Sequence, residues 1–224
     1  GYTAVAMHPY PAANWNRRIC YNNMGFDDFM DISAYEGRDE LRNYISDLSD
    51  FKLITEYVEK KANPDDKLFL FNVTMQNHGG YDQTYTNFSP GISVDGVNSI
   101  SVSQYFSLIK LSDQALEQLI DYFSGADEKT VIVFFGDHQP SDTVAAPILA
   151  MNGMQWNALD EEQQKQRYQV PYVIWANYDI DEEQNADTSA NYLGAEVLKR
   201  AGVPTDAYQN FLLTLKESYP VISA

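Results

Sequence analysis

Four short apolar runs constrain the fold of this chain more than any other feature of its sequence. The runs cover residues 2–7, 68–75, 130–135 and 170–176 and contain many β-branched and aromatic side chains. Three of them are almost continuously apolar instead of alternating between apolar and polar residues. That pattern is typical of strands buried on both faces of a parallel sheet. We therefore predict four strands, three of them buried on both faces.

Helical patterns fill the intervals between these strands. The predicted helices cover residues 38–48, 50–62, 103–123, 160–167, 189–201 and 206–215. Ser49 is the expected N-cap of the second helix. Strands and helices that alternate through right-handed crossovers predict an α/β fold with a mostly parallel sheet and flanking helices. We expect residues 1–224 to form a single domain.

The charge balance narrows the classes of partner. The chain has 15 lysines and arginines against 32 aspartates and glutamates, a formal net charge of −17 at pH 7. This excess repels phosphates, which argues against nucleic acid and anionic lipid surfaces as broad electrostatic partners. A small anionic substrate held by a local cation stays compatible with this charge.

No run approaches the roughly 18 apolar residues that cross a bilayer, so we expect the chain itself to be soluble.

All three histidines of the chain fall just after a predicted strand. His8 follows the first strand directly, and His78 and His138 each come three residues after the end of theirs. Open parallel sheets bind ligands at the carboxyl ends of their strands. One histidine in such a place is commonly a structural residue, but the three together favour a shared site.

The stretch VIVFFGDHQP places Asp137 and His138 side by side at a strand end. A carboxylate and an imidazole there can turn toward one divalent cation, and mixed Asp/His ligands suit Zn²⁺ and Mn²⁺. The alternative is an aspartate that caps a turn beside a histidine bonded to a loop. In NHGGY, the two glycines after His78 would let the backbone approach a ligand closely, or would only form a turn.

The stretch MHPYPAANWNRR brings His8, Trp15 and Arg17 close to one strand end. Arg17 can offer a bidentate fork to a phosphate or a sulfate, and Trp15 a flat apolar wall to a glycerol or a sugar. The alternative is an ordinary helix with a buried tryptophan and a solvated arginine.

Taken together, these stretches resemble the sulfatase-like branch of the alkaline phosphatase superfamily, and most closely the lipoteichoic acid synthases and related phosphoglycerol transferases. In that family a strand ends in a histidine and a Trp-x-Arg follows seven residues later, as with His8, Trp15 and Arg17 here. NHGGY and VIVFFGDHQP match two further segments of the family. The resemblance covers most of the chain and is weakest after about residue 151.

The resemblance implies a metal-dependent enzyme whose threonine nucleophile attacks a phosphodiester of a glycerophospholipid. The phosphoglycerol group forms a covalent intermediate and passes to an acceptor hydroxyl. By matching, Asp137 and His138 are expected to ligate a divalent metal ion, with Mn²⁺ favoured and Mg²⁺, Zn²⁺ or Ca²⁺ as alternatives. His8, Trp15, Arg17 and His78 are expected to line the phosphoglycerol pocket, with His78 as an acid/base.

Two departures from the family pattern accompany these matches. The family's metal-binding glutamate and its nucleophile come from strands before the first histidine strand, so we expect this chain to be the C-terminal portion of the catalytic domain. Alone, it is expected to be inactive and to self-associate. We expect the full-length protein to be anchored at the extracellular face of a bacterial cell membrane through a segment outside the chain. Tyr10 stands where lipoteichoic acid synthases have an aspartate.

Three other functions are alternatives to phosphoglycerol transfer. Within the same fold, a sulfatase (a sulfuric ester hydrolase) is the first alternative, and the residue at the nucleophile position would separate the two. A non-catalytic module that binds a lipid head group or a glycan would not need Asp137 and His138 as metal ligands. A nucleotide-binding domain is disfavoured because the chain lacks a Gly-x-x-x-x-Gly-Lys phosphate loop.

Overall fold

The computed structural model describes residues 1–63 and 65–222. The chain forms two compact units. The first comprises Gly1–Tyr122 and Gln139–Tyr168, and the second comprises Phe123–His138 and the residues from Gln169 onward. One domain over residues 1–224 stays a prediction.

Short strands and helices alternate along the chain. In chain order the elements are β1 (Tyr2–Met7), α1 (Arg17–Asn23), β2 (Asp28–Met30), β3 (Glu40–Leu41), β4 (Tyr44–Ile45), α2 (Asp47–Glu59), β5 (Lys67–Asn72), α3 (Ile100–Ser124), β6 (Val131–Phe135), α4 (Asp142–Met151), α5 (Glu161–Gln166), β7 (Tyr172–Ala176), α6 (Ala190–Arg200) and α7 (Ala207–Ser218). Single 3₁₀ turns connect some of them.

The first unit is built on a parallel sheet of three strands in the order β2-β1-β5. Its central strand, β1, ends in Val5, Ala6 and Met7, which are fully buried. Met7 pairs with Met30 of β2 and Asn72 of β5, so the three strands end at the same edge. Side chains that follow these strands are therefore brought to one place.

One predicted helix is wrong. Within the predicted range 38–48, residues 40–45 form a hairpin of the antiparallel strands β3 and β4 instead of a helix. The helix that follows begins at Asp47, and its N-cap is Ser46 rather than Ser49. The hydroxyl of Ser46 accepts a hydrogen bond from the backbone N–H of Ser49 at 3.2 Å.

The longest helix, α3, covers the core of the first unit. Val102 and Leu108 of this helix pack with Tyr81 and with Val144 of α4, and all four are buried. The sequence did not predict α4. It is apolar over most of its length and contains Pro147, so it shows neither the polar face nor the uninterrupted pattern of a surface helix.

The second unit contains a two-stranded sheet and two helices. β6 and β7 pair antiparallel, with Phe135 opposite Tyr172, although crossovers were expected to make the predicted strands parallel. The chain enters β7 at the end where β6 stops, so no crossover is made. Tyr192, Ala195 and Leu212 form the buried contact between α6 and α7.

The predicted fold class is confirmed: an α/β fold with a parallel sheet and flanking helices. The strand at residues 2–7 has the predicted bounds. The helices predicted at residues 103–123, 189–201 and 206–215 are found as α3, α6 and α7. Among residues 1–63 and 65–222, no helix has both the length and the apolar composition needed to cross a membrane.

Candidate functional site

The first histidine lies just beyond β1 and is almost wholly buried, with 1% of its surface exposed. Nδ1 of His8 lies 2.7 Å from the carbonyl oxygen of Val73, the residue after β5. Burial lowers the pKa of His8 below its ordinary 6.5; the bond to Val73 opposes this shift, and the charge of Arg17 adds to it. His8 is therefore a neutral imidazole at pH 7.

A row of aromatic rings joins the two histidines of the first unit. The ring centroid of Tyr10 lies 6.1 Å from that of His8 and 6.2 Å from that of Tyr44. The Tyr44 ring lies 5.4 Å from the ring of His78, and its hydroxyl oxygen is 3.0 Å from Nδ1 of His78. We call His8, Tyr10, Tyr44 and His78 the ring cluster. His8 is its buried end, and His78 is its exposed end.

Arg42, in the turn between β3 and β4, holds the backbone of the second histidine. Its side chain is buried, and Nη2 donates to the carbonyl oxygens of Gln76 at 2.7 Å and His78 at 2.6 Å. The guanidinium carbon lies 5.6 Å from the ring centroid of Tyr44 and 5.2 Å from that of Tyr81. The hairpin therefore fixes both the ring and the main chain of His78.

The other two predicted pocket residues lie at the start of α1. Arg17 is half buried, and its Nη1 donates to the hydroxyl of Tyr21 at 3.2 Å. Trp15 has 86% of its surface exposed, which excludes the buried core tryptophan of the alternative interpretation. Trp15 and Asn16 have φ values of 56° and 52°. Successive left-handed residues other than glycine are strained, and such strain is found most often at ligand-binding sites.

Asp137 and His138 follow β6 in the second unit. Their side chains are 82% and 78% exposed, and Oδ2 of Asp137 lies 3.5 Å from Nε2 of His138. Two ligands of one tetrahedral cation, each about 2.1 Å from it, are about 3.4 Å apart. These two donor atoms therefore fit a shared divalent cation.

Two donors do not complete a metal site. In the part of the chain that the structure describes, no group of three or more His, Cys, Asp or Glu side chains is arranged to hold a metal ion. Asp137 and His138 belong to the second unit, whereas His8 and His78 belong to the first. One site shared by all four residues stays a prediction.

Comparison with protein-family models matches one family over most of the chain. The model described as Sulfatase covers residues 1–203. The chain belongs to the sulfatase family. The match includes the stretches that carry the resemblance, those with His8, Trp15 and Arg17 and the later ones, and it continues past them to residue 203.

Relatives of known sequence extend the family assignment. A Rhizobium meliloti protein named for the modification of cyclic beta-1,2-glucan is 29% identical over 229 aligned residues, which cover 99% of this chain and 35% of the relative. Lipoteichoic acid synthase 1 of Bacillus subtilis is 30% identical over 141 residues, 62% of this chain and 21% of the synthase. The expected similarity to lipoteichoic acid synthases is confirmed. The chain spans about a third of the first relative and about a fifth of the second.

A solved structure shares the fold. The phosphoglycerol transferase GacH of Streptococcus pyogenes, in complex with sn-glycerol-1-phosphate, matches 97% of this chain with a TM-score of 0.73 and 19% identity. The matched part is 54% of the GacH chain. At this level of identity the comparison shows the α/β architecture of the sulfatase-family chain. It does not show the roles of individual side chains.

A buried polar network supports the segment before the second histidine. Asp47 and Asp50, in the first turn of α2, are 1% and 0% exposed. Burial raises the pKa of Asp47 to about 6 and that of Asp50 to about 7. The backbone N–H of Asp47 donates at 3.0 Å to the side-chain oxygen of Gln76, and Gln76 donates in turn to the hydroxyl of Ser112 at 3.0 Å. The start of α2 is thus bonded to the segment that leads to His78.

Sequence reasoning identified both histidines of the ring cluster but not the residues that hold the second one. Arg42 and Tyr44 lie in the segment that was predicted to be helical. A signal for the hairpin was present, because Asn43 is a favoured residue in two-residue hairpin turns and lies between Leu41 and Tyr44. The contact with His78 spans 34 positions and leaves no local pattern.

Proposed function

We propose that the full-length protein is a metal-dependent enzyme that transfers a phosphoglycerol group from a glycerophospholipid or another cell-envelope phosphodiester. The observation that carries this proposal is the buried His8, on which the charge of Arg17 acts, with His78 at the exposed end of the same ring cluster. A phosphoglycerol group needs a cation for its phosphate and neutral polar groups for its hydroxyls. In a chain of net charge −17, a half-buried arginine is the local exception that an anionic substrate requires.

Two comparisons support this substrate class. The GacH structure, which shares the fold, is a phosphoglycerol transferase bound to sn-glycerol-1-phosphate. A lipoteichoic acid synthase is among the relatives. The proposal carries the phosphoglycerol group over to the pocket formed by His8, Trp15, Arg17 and His78.

Each residue of the pocket contacts a different part of the proposed substrate. Arg17 binds phosphate oxygens with its planar fork, and Trp15 packs against the glycerol carbons. In the transfer step a nucleophilic oxygen bonds to phosphorus, and the bond between phosphorus and the departing lipid oxygen breaks. His78 gives a proton from a ring N–H to that departing oxygen. We assign no residue of this chain to the nucleophile.

A divalent cation fits the second unit. Asp137 and His138 would hold it; a carboxylate with an imidazole suits Zn²⁺ and Mn²⁺, and the family resemblance favours Mn²⁺ over Zn²⁺, Mg²⁺ and Ca²⁺. When bound, the cation lowers the pKa of the nucleophile and neutralises charge on the transferring group. Chelation would then abolish transfer.

The proposed substrates also suggest a location. Glycerophospholipid head groups and anionic cell-envelope polymers are reached at the extracellular face of a bacterial cell membrane, where we place the full-length protein. Nucleic acid is not a proposed partner, because the negative charge of the chain repels it.

The test uses the full-length protein, phosphatidylglycerol with a fluorescent acyl chain, and Mn²⁺. The expected product is fluorescent diacylglycerol, and His138→Ala should abolish its formation. Arg17→Lys should lower kcat/KM about tenfold or more, because charge is kept but the fork is lost. The matched control is Arg18→Lys at the exposed neighbouring arginine, which pairs with Asp31.

Two other outcomes would replace the proposal. Hydrolysis of an aryl sulfate without cleavage of phosphatidylglycerol would identify a sulfatase. Binding of sn-glycerol-1-phosphate that needs no metal and leads to no turnover would identify a binding module.

A further inference from the structure

In both histidines of the ring cluster Nδ1 has a hydrogen-bond partner, but the two partners differ in kind. Nδ1 of His8 lies 2.7 Å from the carbonyl oxygen of Val73, which can only accept a hydrogen bond. Nδ1 of His8 must therefore carry the proton. In the neutral ring, Nε2 of His8 then keeps its lone pair.

The partner of His78 is a phenol. Nδ1 of His78 lies 3.0 Å from the hydroxyl oxygen of Tyr44. A phenol O–H is a stronger acid than the N–H of a neutral imidazole, so the favoured bond has Tyr44 as donor and Nδ1 as acceptor. Burial raises the pKa of Tyr44 above its ordinary 10, so the phenol keeps its proton at neutral pH. The proton of the His78 ring is then on Nε2.

We propose that His8 and His78 are held in opposite tautomers, and that Tyr44 is the positioning residue that selects the tautomer of His78. Nε2 of His8 is an acceptor, and Nε2 of His78 is a donor. If the pocket takes phosphoglycerol, as the proposed function states, the acceptor suits a glycerol hydroxyl and the donor suits a phosphate oxygen or the departing lipid oxygen. One pocket thus distinguishes the two ends of its substrate with two residues of the same type.

The hairpin makes this selection rigid. Arg42, two residues before Tyr44, donates to the carbonyl oxygen of His78 at 2.6 Å and lies over the Tyr44 ring. Arg42 has a φ of 60°, and its own carbonyl oxygen accepts from Nδ2 of Asn87 at 3.1 Å. A buried arginine in a left-handed turn is strained, and Arg42 is held there by its bonds to the carbonyl oxygens of Gln76 and His78. The phenol and the imidazole are therefore held at a fixed separation.

Nitrogen-15 NMR of the histidine rings tests the tautomers directly, without any assay of activity. The 224-residue chain contains three histidines, so two-bond proton–nitrogen spectra at about pH 8, where imidazoles are neutral, show three ring patterns. His8→Gln and His78→Gln assign two of them. We expect a protonated Nδ1 in His8 and a protonated Nε2 in His78. Tyr44→Phe should shift the Nδ1 signal of His78 and leave the signals of His138 unchanged.

Two results would overturn the tautomer assignment: a protonated Nδ1 in His78, or a His78 pattern that does not change in Tyr44→Phe. If Tyr44→Phe fails to fold, Tyr10→Phe supplies the comparison, because it keeps the ring cluster and the Tyr44 hydroxyl. The His78 pattern should then be unchanged.

The same NMR spectra are then recorded with sn-glycerol-1-phosphate and, as a comparison, with inorganic phosphate. We expect sn-glycerol-1-phosphate to shift Nε2 of both histidines, and phosphate to shift that of His78 more than that of His8. In the full-length protein, Tyr44→Phe should lower kcat roughly two- to tenfold with little change in KM, the effect of one lost hydrogen bond. Opposite tautomers without any response to sn-glycerol-1-phosphate would overturn the phosphoglycerol function and leave the tautomer assignment intact.

Discussion

The hydroxyl of Tyr21 holds the guanidinium of Arg17 through a hydrogen bond of 3.2 Å from Nη1. The ring of Tyr21 is itself fixed, because it packs edge-on against Phe26, Phe29 and Phe71 at centroid distances of 5.3, 4.9 and 6.2 Å. The orientation of Arg17 is therefore set by the hydrophobic core of the first unit. Aromatic packing of this kind adds about 1 kcal/mol per pair beyond the buried area.

Tyr21→Phe should weaken substrate use without unfolding the protein. The variant keeps the packed ring and removes the oxygen that orients Arg17. We expect KM for phosphatidylglycerol in the full-length protein to rise roughly two- to tenfold, as one lost hydrogen bond implies. Tyr122→Phe removes a hydroxyl that donates to Glu59 at 3.1 Å and serves as the control. Equal KM values for the two variants would show that Tyr21 does not act through Arg17.

Asp50→Asn should flatten the pH dependence of stability. The folded pKa values of Asp47 and Asp50, about 6 and about 7, lie above the roughly 3.9 of an unfolded chain. Between about pH 4 and pH 7 the folded protein thus binds more protons than the unfolded chain, so the free energy of unfolding falls as pH rises and levels off above about pH 7. His8, whose pKa is lowered, acts in the opposite direction below about pH 6.5.

Urea unfolding at about pH 5 and about pH 8 measures this effect. In Asp50→Asn we expect the free energy of unfolding at the higher pH to rise on the order of 2 kcal/mol relative to the parent. Tyr35 can still donate to the new amide oxygen, as it does to Asp50 at 2.7 Å. Asp113→Asn, at an exposed position of α3, is the control. A variant that kept the full pH dependence of the parent would exclude Asp50 as its source.

Gly136→Ala should impair metal activation. A Cβ atom at Gly136 would lie 3.1 Å from Cβ and 3.4 Å from Cγ1 of Val170, so Val170 or the backbone that leads to Asp137 must shift. We expect the Mn²⁺ concentration needed for half activation of the full-length protein to rise roughly fivefold, equivalent to about 1 kcal/mol of overpacking. Gly194→Ala, where a Cβ meets nothing within 4 Å, should behave like the parent. A similar response of both variants would argue against this contact.

The 224-residue chain should bind Mn²⁺ or Zn²⁺ weakly and should not turn over a fluorogenic phosphodiester. Asp137 and His138 supply two donor atoms, and most of the coordination would be left to water, which lowers affinity strongly. Calorimetric titration measures the affinity, and Asp137→Ala should remove what binding there is. Submicromolar binding, or turnover that is lost in Asp137→Ala, would show that the chain holds a complete site.

The sequence predicted the strand ends better than the side chains that meet there. The run at residues 2–7 was predictable because burial on both faces leaves a continuous apolar pattern. The segment around Arg42 was not, because apolar residues at three- and four-residue spacing also occur outside helices. The N-cap was misplaced for a related reason: Ser46 and Ser49 are both good caps, and the three-residue offset depends on where the hairpin ends.

In the candidate site, too, the positions after the strands were predictable and the contacts between distant side chains were not. His8 and His78 could be assigned to one edge because strand direction follows from topology. The bond between Tyr44 and His78 could not be predicted, since it depends on how a hairpin docks onto a loop 34 positions away. The antiparallel pairing of β6 and β7 was likewise invisible, because a buried strand has the same apolar pattern in either direction.

Substitutions in the strained turn at Trp15 and Asn16 should change which ligand is bound without disturbing the folded core. A side chain that is 86% exposed contributes little to the core, so replacing Trp15 changes the surface offered to a ligand without removing buried contacts. A glycine in place of Asn16, at its φ of 52°, would accept the left-handed backbone without a steric penalty. Under the proposed function, this corner is therefore the place to vary the chain in a search for altered head-group preference, because substitution of Trp15 removes few buried contacts.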